Sequence, residues 1–513
     1  MRKGMLAGGF VLAVLAAMLL VPAVAAGPAA CDNRVNNTLD KLLECVTVEG
    51  VREHQEALQE IADDNNGIRT SGTDGYDDSA EYVADRMRAA GYNVTVQEFD
   101  FFFVGDATPP VLEQTAPTPT TYVDGVDFAT MDYSGSGDFT AALIAVDLVV
   151  PSPAPNSSTS GCEAADFAGF PVGGIALLQR GTCTFRLKAT NAQAAGAVGV
   201  IVFNEGNPGR TAILFGTLAP PPMSLPVVGA SFSLGDALRN GVLNGPTGVT
   251  VRLRTDTLAD VRTTSNIFAE TKDGDPNNVI MAGAHLDSVT AGPGINDNGS
   301  GSAALLEAAE QMAKVKPRNM VRFAWWGAEE FGLVGSTHYV EGLSEAELGR
   351  ITLYLNFDMI GSPNHVFFIY DGDDSDEDGA GPGPEGSAEI EATFERYFDS
   401  VGVPFKGTDF SGRSDYGPFI EVGIPSGGLF TGAEGIKSAQ EAAIWGGTAG
   451  QPYDPCYHLA CDTFANVNLD ALDVNSDAVA YATLQYAMNT LEINGERGKG
   501  NFRVPEEEGP ATQ

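Results

Sequence analysis

Residues 278–315 read NVIMAGAHLDSVTAGPGINDNGSGSAALLEAAEQMAKV. An apolar run leads to His285, a glycine-rich loop follows, and SAALLEAAEQMAKV has the spacing of a helix. Strand, loop and helix in that order make one half of an α/β unit. The same texture extends outward. SNIFAE and NVIMAGAHLDS read as strands around a KDGDPNN turn, and NMVRFAWWGAEE, ITLYLNFDMIG and HVFFIYDG as further apolar strands. SAEIEATFERYFDSVG and SDAVAYATLQYAMNTLE read as helices. The fold class expected is α/β, with a mixed, largely buried central sheet flanked by helices.

Toward the N-terminus, residues 50–63 and 79–91 have helical spacing, the second closed by Gly91, and YNVTVQEFDF alternates like a strand. The Pro- and Thr-rich TPPVLEQTAPTPTTY (108–122) marks a linker or boundary. Residues 123–262 change texture: short strands recur (ALIAVDLVV, GGIALLQRG, GAVGVIVFN, LPVVGAS, GVTVRLRT) around one helix, TFRLKATNAQAAGA. A small β-rich module at 108–262 is therefore expected inside a main domain formed by 46–107 and 263–493. Residues 494–513 have the composition of a disordered tail.

The first 26 residues have the form of a secretory signal: Arg2 and Lys3, an apolar stretch Met5–Val21, and the small residues Ala23-Val24-Ala25. No later stretch reaches about 18 apolar residues, so no membrane span is expected in the mature chain. Pro28 argues against a lipid on Cys31. Loss of Arg2 and Lys3 takes the formal charge from −39 to −41, which argues against nucleic acid and anionic membranes as partners. In an oxidising compartment six cysteines suggest disulfides. Proximity favours Cys31–Cys45, Cys162–Cys183 and Cys456–Cys461. No C-x-x-C pair supports a thiolate metal site.

Histidine is scarce here, five in 513 residues, so His285 beside carboxylates raises the question of a metal. His285 and Asp287 point the same way along a strand, and a metal-binding imidazole needs a partner on its second nitrogen. Asp297 follows in GINDNGSG. Glu329 and Glu330 follow VRFAWW, where burial is costly unless compensated. Asp358 follows LYLNF, at the strand end where open α/β sheets bind ligands. His458 sits in DPCYHLACDT, within a short loop if Cys456 and Cys461 pair. Two histidines and three carboxylates without sulfur suit zinc, with manganese or cobalt as substitutes. Five ligands exceed the three protein groups one catalytic zinc takes, so two ions sharing a carboxylate are expected. His54, His338 and His365 receive no role.

GAHLDS, GINDNGSG, WGAEEFGLVGS, NFDMIGS, SGRSDYGPF and DPCYHLACDT together resemble the secreted two-zinc aminopeptidases of the bacterial leucine-aminopeptidase and aminopeptidase Y type. The inserted module resembles their protease-associated domain. The resemblance implies that His285 and Asp358 hold one zinc, Glu330 and His458 the other, and that Asp297 bridges them. It further implies that Asp287 orients His285, Glu329 is the general base and Tyr457 stabilises the oxyanion. Arg413 falls near the substrate, Met359 and Phe430 line an apolar pocket, and Asp297–Asn298 is a cis peptide. Asp473 and Asp477 match a calcium site of some relatives, although Cys45 replaces its N-terminal carboxylate. Separately, Asp374, Asp376, Asp378 and Glu385 fit a calcium-loop pattern, but a strand and Pro/Gly flank it rather than two helices, which favours a solvated acidic loop.

The activity implied is removal of N-terminal, leucine-like residues from peptides or proteins with a free N-terminus, by an extracellular monomer. Rivals are a carboxypeptidase or glutaminyl-cyclase-like enzyme on the same fold, and a non-catalytic binding protein. The first needs a basic pocket, and Arg413 is the only obvious local cation. The last would have lost ligands.

Overall fold

The computed structural model describes Cys31 and residues 33–376 and 381–494. The expected signal segment, Asp378 and residues 495–513 of the expected tail lie outside the described residues.

The sheet is built as the apolar runs require. Asp275–His285 lies between Asn319–Trp326 and Ile351–Phe357, parallel to both, and Ser426–Phe430 is parallel to Ile351–Phe357. Short strands Phe368–Tyr370 and Lys406–Thr408 extend one side, the first antiparallel to its neighbour. Gly245–Glu270 runs antiparallel on the other side. The sheet is thus mixed, and its central strands are buried along almost their whole length.

Helices cover it because their apolar stripes match its faces. Gly299–Met312 is buried almost throughout and packs against Leu469–Met488 and Val48–Asp64. Leu305, Leu306, Ala309 and Met312 join Ile280, Phe323, Leu355 and Leu472 in one apolar core. Trp325 is wholly buried with its indole N–H donated to Ser302 O, and Trp326 likewise to Tyr354 Oη. Deleting such a ring costs about 3–5 kcal/mol, so the end of this strand is firmly anchored.

Two expectations fail between 93 and 270. Residues 108–116 are not a linker: Asn93–Ala116 is one strand, paired antiparallel with Gly245–Glu270. Pro109 and Pro110 lack an N–H, and the ladder absorbs them where its register shifts between Thr108 and Val111. Likewise GVTVRLRT and SNIFAE are two ends of a single strand, whose middle is exposed and lacks a clear apolar alternation. This pair carries the ladder from the main sheet into the module, where it continues through Gly137–Ala145, Ile175–Gln179, Gly199–Phe203, Val227–Ala230 and Phe128–Thr130. The module has its own core around Leu143, Leu177, Ile201, Phe203 and Val228. The register sets Thr108 opposite Asp256.

Disulfides join Cys31–Cys45, Cys162–Cys183 and Cys456–Cys461.

Candidate metal centre

Parallel strands deliver their C-terminal ends to one edge of the sheet, and the ladder carries the chemistry there. His285 ends one strand, Glu329 and Glu330 follow Trp326, and Asp358 follows Phe357. Asp297 comes from the glycine-rich loop and His458 from the disulfide loop. Together with Leu333, Met359, Tyr370, Arg413, Phe430 and Tyr457 they line a cavity of about 350 Å³.

Distances divide the polar groups in two. His285 Nε2 lies 3.2 Å from Asp297 Oδ1 and 3.3 Å from Asp358 Oδ1. His458 Nε2 lies 3.3 Å from Asp297 Oδ2 and 3.1 Å from Glu330 Oε2. Asp297 therefore turns one oxygen to each histidine. Glu329 Oε2 is farther, 3.9 Å from His285 Nε2. Donor atoms of His285, Asp297 and Glu330 lie within 4.8 Å of one another, and so do those of His285, Glu329 and Asp358.

These groups are buried: His285 is 1% exposed, Asp297 5%, Glu329 8% and Asp358 9%. Burial pushes the Glu329 carboxyl well above its ordinary range, with His285 opposing and Glu330 reinforcing the rise. It raises Glu330 to about 7 against the attraction of His458. Burial also opposes charge on Asp297, yet hydrogen bonds from both imidazoles hold that carboxyl below its usual range. Burial would depress the imidazoles too, but the facing carboxylates hold His285 and His458 well above the ordinary histidine range. The acids thus require positive charge between them. Glu330 Oε1 and Asp358 Oδ1 have no hydrogen-bond partner although buried, an arrangement that divalent cations satisfy. The nitrogen and oxygen donors fit zinc.

The surroundings fix the donors. His285 Nδ1 lies 3.1 Å from the backbone carbonyl of Asp287 and 3.6 Å from its carboxylate, so the nearer partner is the main chain. The Asp287 carboxylate accepts the Glu329 N–H instead. Ser414 Oγ donates to Asp358 Oδ2 at 2.6 Å. The Asp297–Asn298 peptide is cis, as expected, and the Asn298 side chain is buried and donates to Phe357 O. Tyr457 stacks on His458, ring centroids 3.9 Å apart. Arg413 donates to Tyr457 Oη at 3.1 Å and to Glu434 at 2.9 Å. Met359 and Phe430 both face the cavity.

Sequence reasoning missed Asp462, Arg69, Ser414, Asp415 and Glu434. Asp462 accepts the backbone N–H of Asn296 and of Asp297, one on each oxygen. The guanidinium of Arg69, wholly buried, holds the carbonyls of Pro293 and Gly294. Asp415 is buried against the site, which raises its carboxyl to about 7. Arg69 lies in the loop between two helices, outside any periodic signal, but Asp462 and Asp415 stand inside motifs already singled out. Among the described residues, other donor clusters are His54, Glu307, Glu310 and Asp371, Asp373, Glu391. None includes Asp374, Asp376, Glu385, Asp473 or Asp477. Asp376 instead accepts the Gly407 N–H.

Residues 266–483 match Peptidase family M28 and residues 144–238 match the PA domain. An aminopeptidase of Pseudomonas aeruginosa is 49% identical over 455 residues, spanning 88% of this chain and 83% of that protein. The chain belongs to peptidase family M28. Like its relatives in that family, it is an aminopeptidase, a hydrolase of peptide bonds carrying an inserted PA domain. Leucine aminopeptidase 2 of Trichophyton equinum is 42% identical over 454 residues, covering 88% of this chain and 86% of that one. Among solved structures, a zinc aminopeptidase from Bacillus subtilis superposes with a TM-score of 0.64 at 25% identity, covering 90% of this M28 peptidase and 99% of that chain. No helix among the described residues is long and apolar enough to cross a membrane.

Proposed function

We propose that this M28 peptidase uses two zinc ions to remove single, large apolar residues from the N-terminus of extracellular peptides, acting as a monomer. The observation that carries the reading is Asp297, which turns one carboxylate oxygen to each of two histidines, each of which also meets a second carboxylate. His285 and Asp358 would hold one ion, His458 and Glu330 the other, with Asp297 shared. Two such ions would polarise the scissile carbonyl and lower the pKa of an attacking water.

The remaining steps belong to the chain. Glu329, held beside the ligands at 3.9 Å from His285 Nε2, takes the proton of the water and delivers it to the leaving amine. Tyr457 receives a hydrogen bond from Arg413, which leaves its own O–H free to donate to the oxyanion. Glu329 and Asp358 attract the substrate's α-ammonium, which restricts cleavage to the first residue. Met359 and Phe430 supply an apolar wall for its side chain. Arg413 is paired with Glu434, so among the described residues lining the cavity no free Lys or Arg faces a substrate carboxylate, as a carboxypeptidase would need.

The test joins metal analysis to a panel of aminoacyl-4-nitroanilides and N-blocked peptides. The expected result is two zinc ions in the cavity, activity lost to chelators and restored by zinc or cobalt, preference for leucine, and no cleavage of blocked peptides. Full activity without metal, or cleavage from the C-terminus, overturns it.

A further inference from the structure

A second polar cluster is buried outside the lining of the cavity. His54 is 2% exposed and Glu307 5%. His54 Nε2 has no hydrogen-bond partner, a condition rare in buried polar atoms. It points at Glu307 Oε2, 3.7 Å away, and at Glu310 Oε2, 3.9 Å away. Donor atoms of the three residues lie within 4.8 Å of one another. The other imidazole nitrogen, Nδ1, is 2.8 Å from Tyr82 Oη. An imidazole that donates Nδ1–H to an oxygen presents a lone pair at Nε2, as metal-binding histidines do.

Two explanations compete. A protonated His54 would draw a carboxylate oxygen to about 2.7–2.9 Å, and neither oxygen comes that close. Ligands of one zinc sit about 2.0–2.2 Å from the ion, hence ~3.4 Å from each other at a tetrahedral angle. The two imidazole–carboxylate spacings here, 3.7 and 3.9 Å, are wider than that, while all three donors lie within 4.8 Å of one another. Glu307 is braced by Gln311, whose Nε2 donates to Oε1 at 3.1 Å. Gly50 makes room for it, since a Cβ there would lie 2.5 Å from Glu307 Oε1. Glu310 is held by Arg86 through both oxygens, which makes it the weakest of the three donors.

We propose that His54, Glu307 and Glu310 bind a divalent cation of the zinc class, distinct from the catalytic centre. The ion would tie Val48–Asp64 to Gly299–Met312, with Tyr82 and Arg86 of Asp74–Ala90 as outer supports. Glu307 stands about 12 Å along the helix axis from Gly299, at ~1.5 Å per residue. That helix begins just after Asp297, so the role is to fix the scaffold of the active site rather than to take part in chemistry.

The full chain, as wild type and His54→Gln, is equilibrated with zinc, freed of excess by gel filtration and its zinc counted by plasma mass spectrometry. One zinc per chain fewer is expected in the variant, with hydrolysis of a small anilide retained. Because the result is a difference, it is independent of how many ions the cavity holds. If His54→Gln does not fold, Glu307→Gln, which keeps side-chain volume, replaces it. Equal zinc counts in wild type and a folded variant overturn the proposal.

Discussion

Tyr457 shows how one residue's neighbours define its chemistry. Its backbone lies inside the loop closed by the Cys456–Cys461 disulfide, and its ring stacks on His458. His458 itself adopts a left-handed backbone, φ 57°, a conformation uncommon outside glycine and often found at functional sites. Removing the Tyr457 hydroxyl leaves the loop and the stacking in place, takes away one donor, and leaves Arg413 with Glu434 as its partner. In Tyr457→Phe, kcat is expected to fall by about 10²–10³, or roughly 3–4 kcal/mol, with KM and zinc content little changed. Steady-state kinetics on a leucine anilide, with metal analysis in parallel, checks it; a kcat within about threefold of wild type removes Tyr457 from the mechanism. Tyr457 was legible from the sequence only through motif resemblance. Its bond to Arg413, and Arg413's to Glu434, join loops that no local pattern connects.

At the scale of elements, the helix Leu469–Met488 carries Asp473 and Asp477 one turn apart, where like charges repel. Burial, and then the charge of Asp473, raise the Asp477 carboxyl to about 7. Its ordinary value is near 3.8, so between about pH 4 and 7 the folded chain binds a proton that the unfolded chain has released. Stability must therefore fall as pH rises through that window. Asp477→Asn is expected to raise the thermal midpoint, more at pH 8 than at pH 5, as read by calorimetry without added calcium. An equal shift at both pH values contradicts the assignment. The sequence showed these helices readily, because their apolar spacing is strong. It concealed the two long strands, whose exposed middles and prolines mimic a linker.

For the molecule as a whole, the antiparallel pair Asn93–Ala116 and Gly245–Glu270 is both a boundary and a bridge. Asp106 pairs with Thr257, so replacing residues 107–256 by a two-residue Asn-Gly turn closes the ladder as a hairpin. That protein should fold, bind zinc and hydrolyse a small anilide, since the module supplies no metal donor named above. The module does approach the site: Phe102 stacks on Tyr133, centroids 5.7 Å apart, and a Cβ on Gly125 would lie 3.8 Å from Leu459 in the disulfide loop. Inactivity of a folded, metal-loaded deletion would show that these contacts complete the active site.

Apolar period, glycine-rich punctuation and the placing of His285, Glu330 and Asp358 at or just beyond strand ends, and of Asp297 and His458 in loops, were determined by the sequence alone. Those signals are local: each strand or helix declares itself by its own spacing, and scarce residue types stand out within it. The tertiary structure decided the rest. Only the parallel register brings four strand ends to one edge, and only there does Asp297 meet two histidines at once. Asp462 and Arg69 hold that loop through backbone groups, which any residue type offers equally. His54 meets Glu307 and Glu310 across a helix pair, a contact that depends on packing between distant segments and leaves no periodicity in the chain.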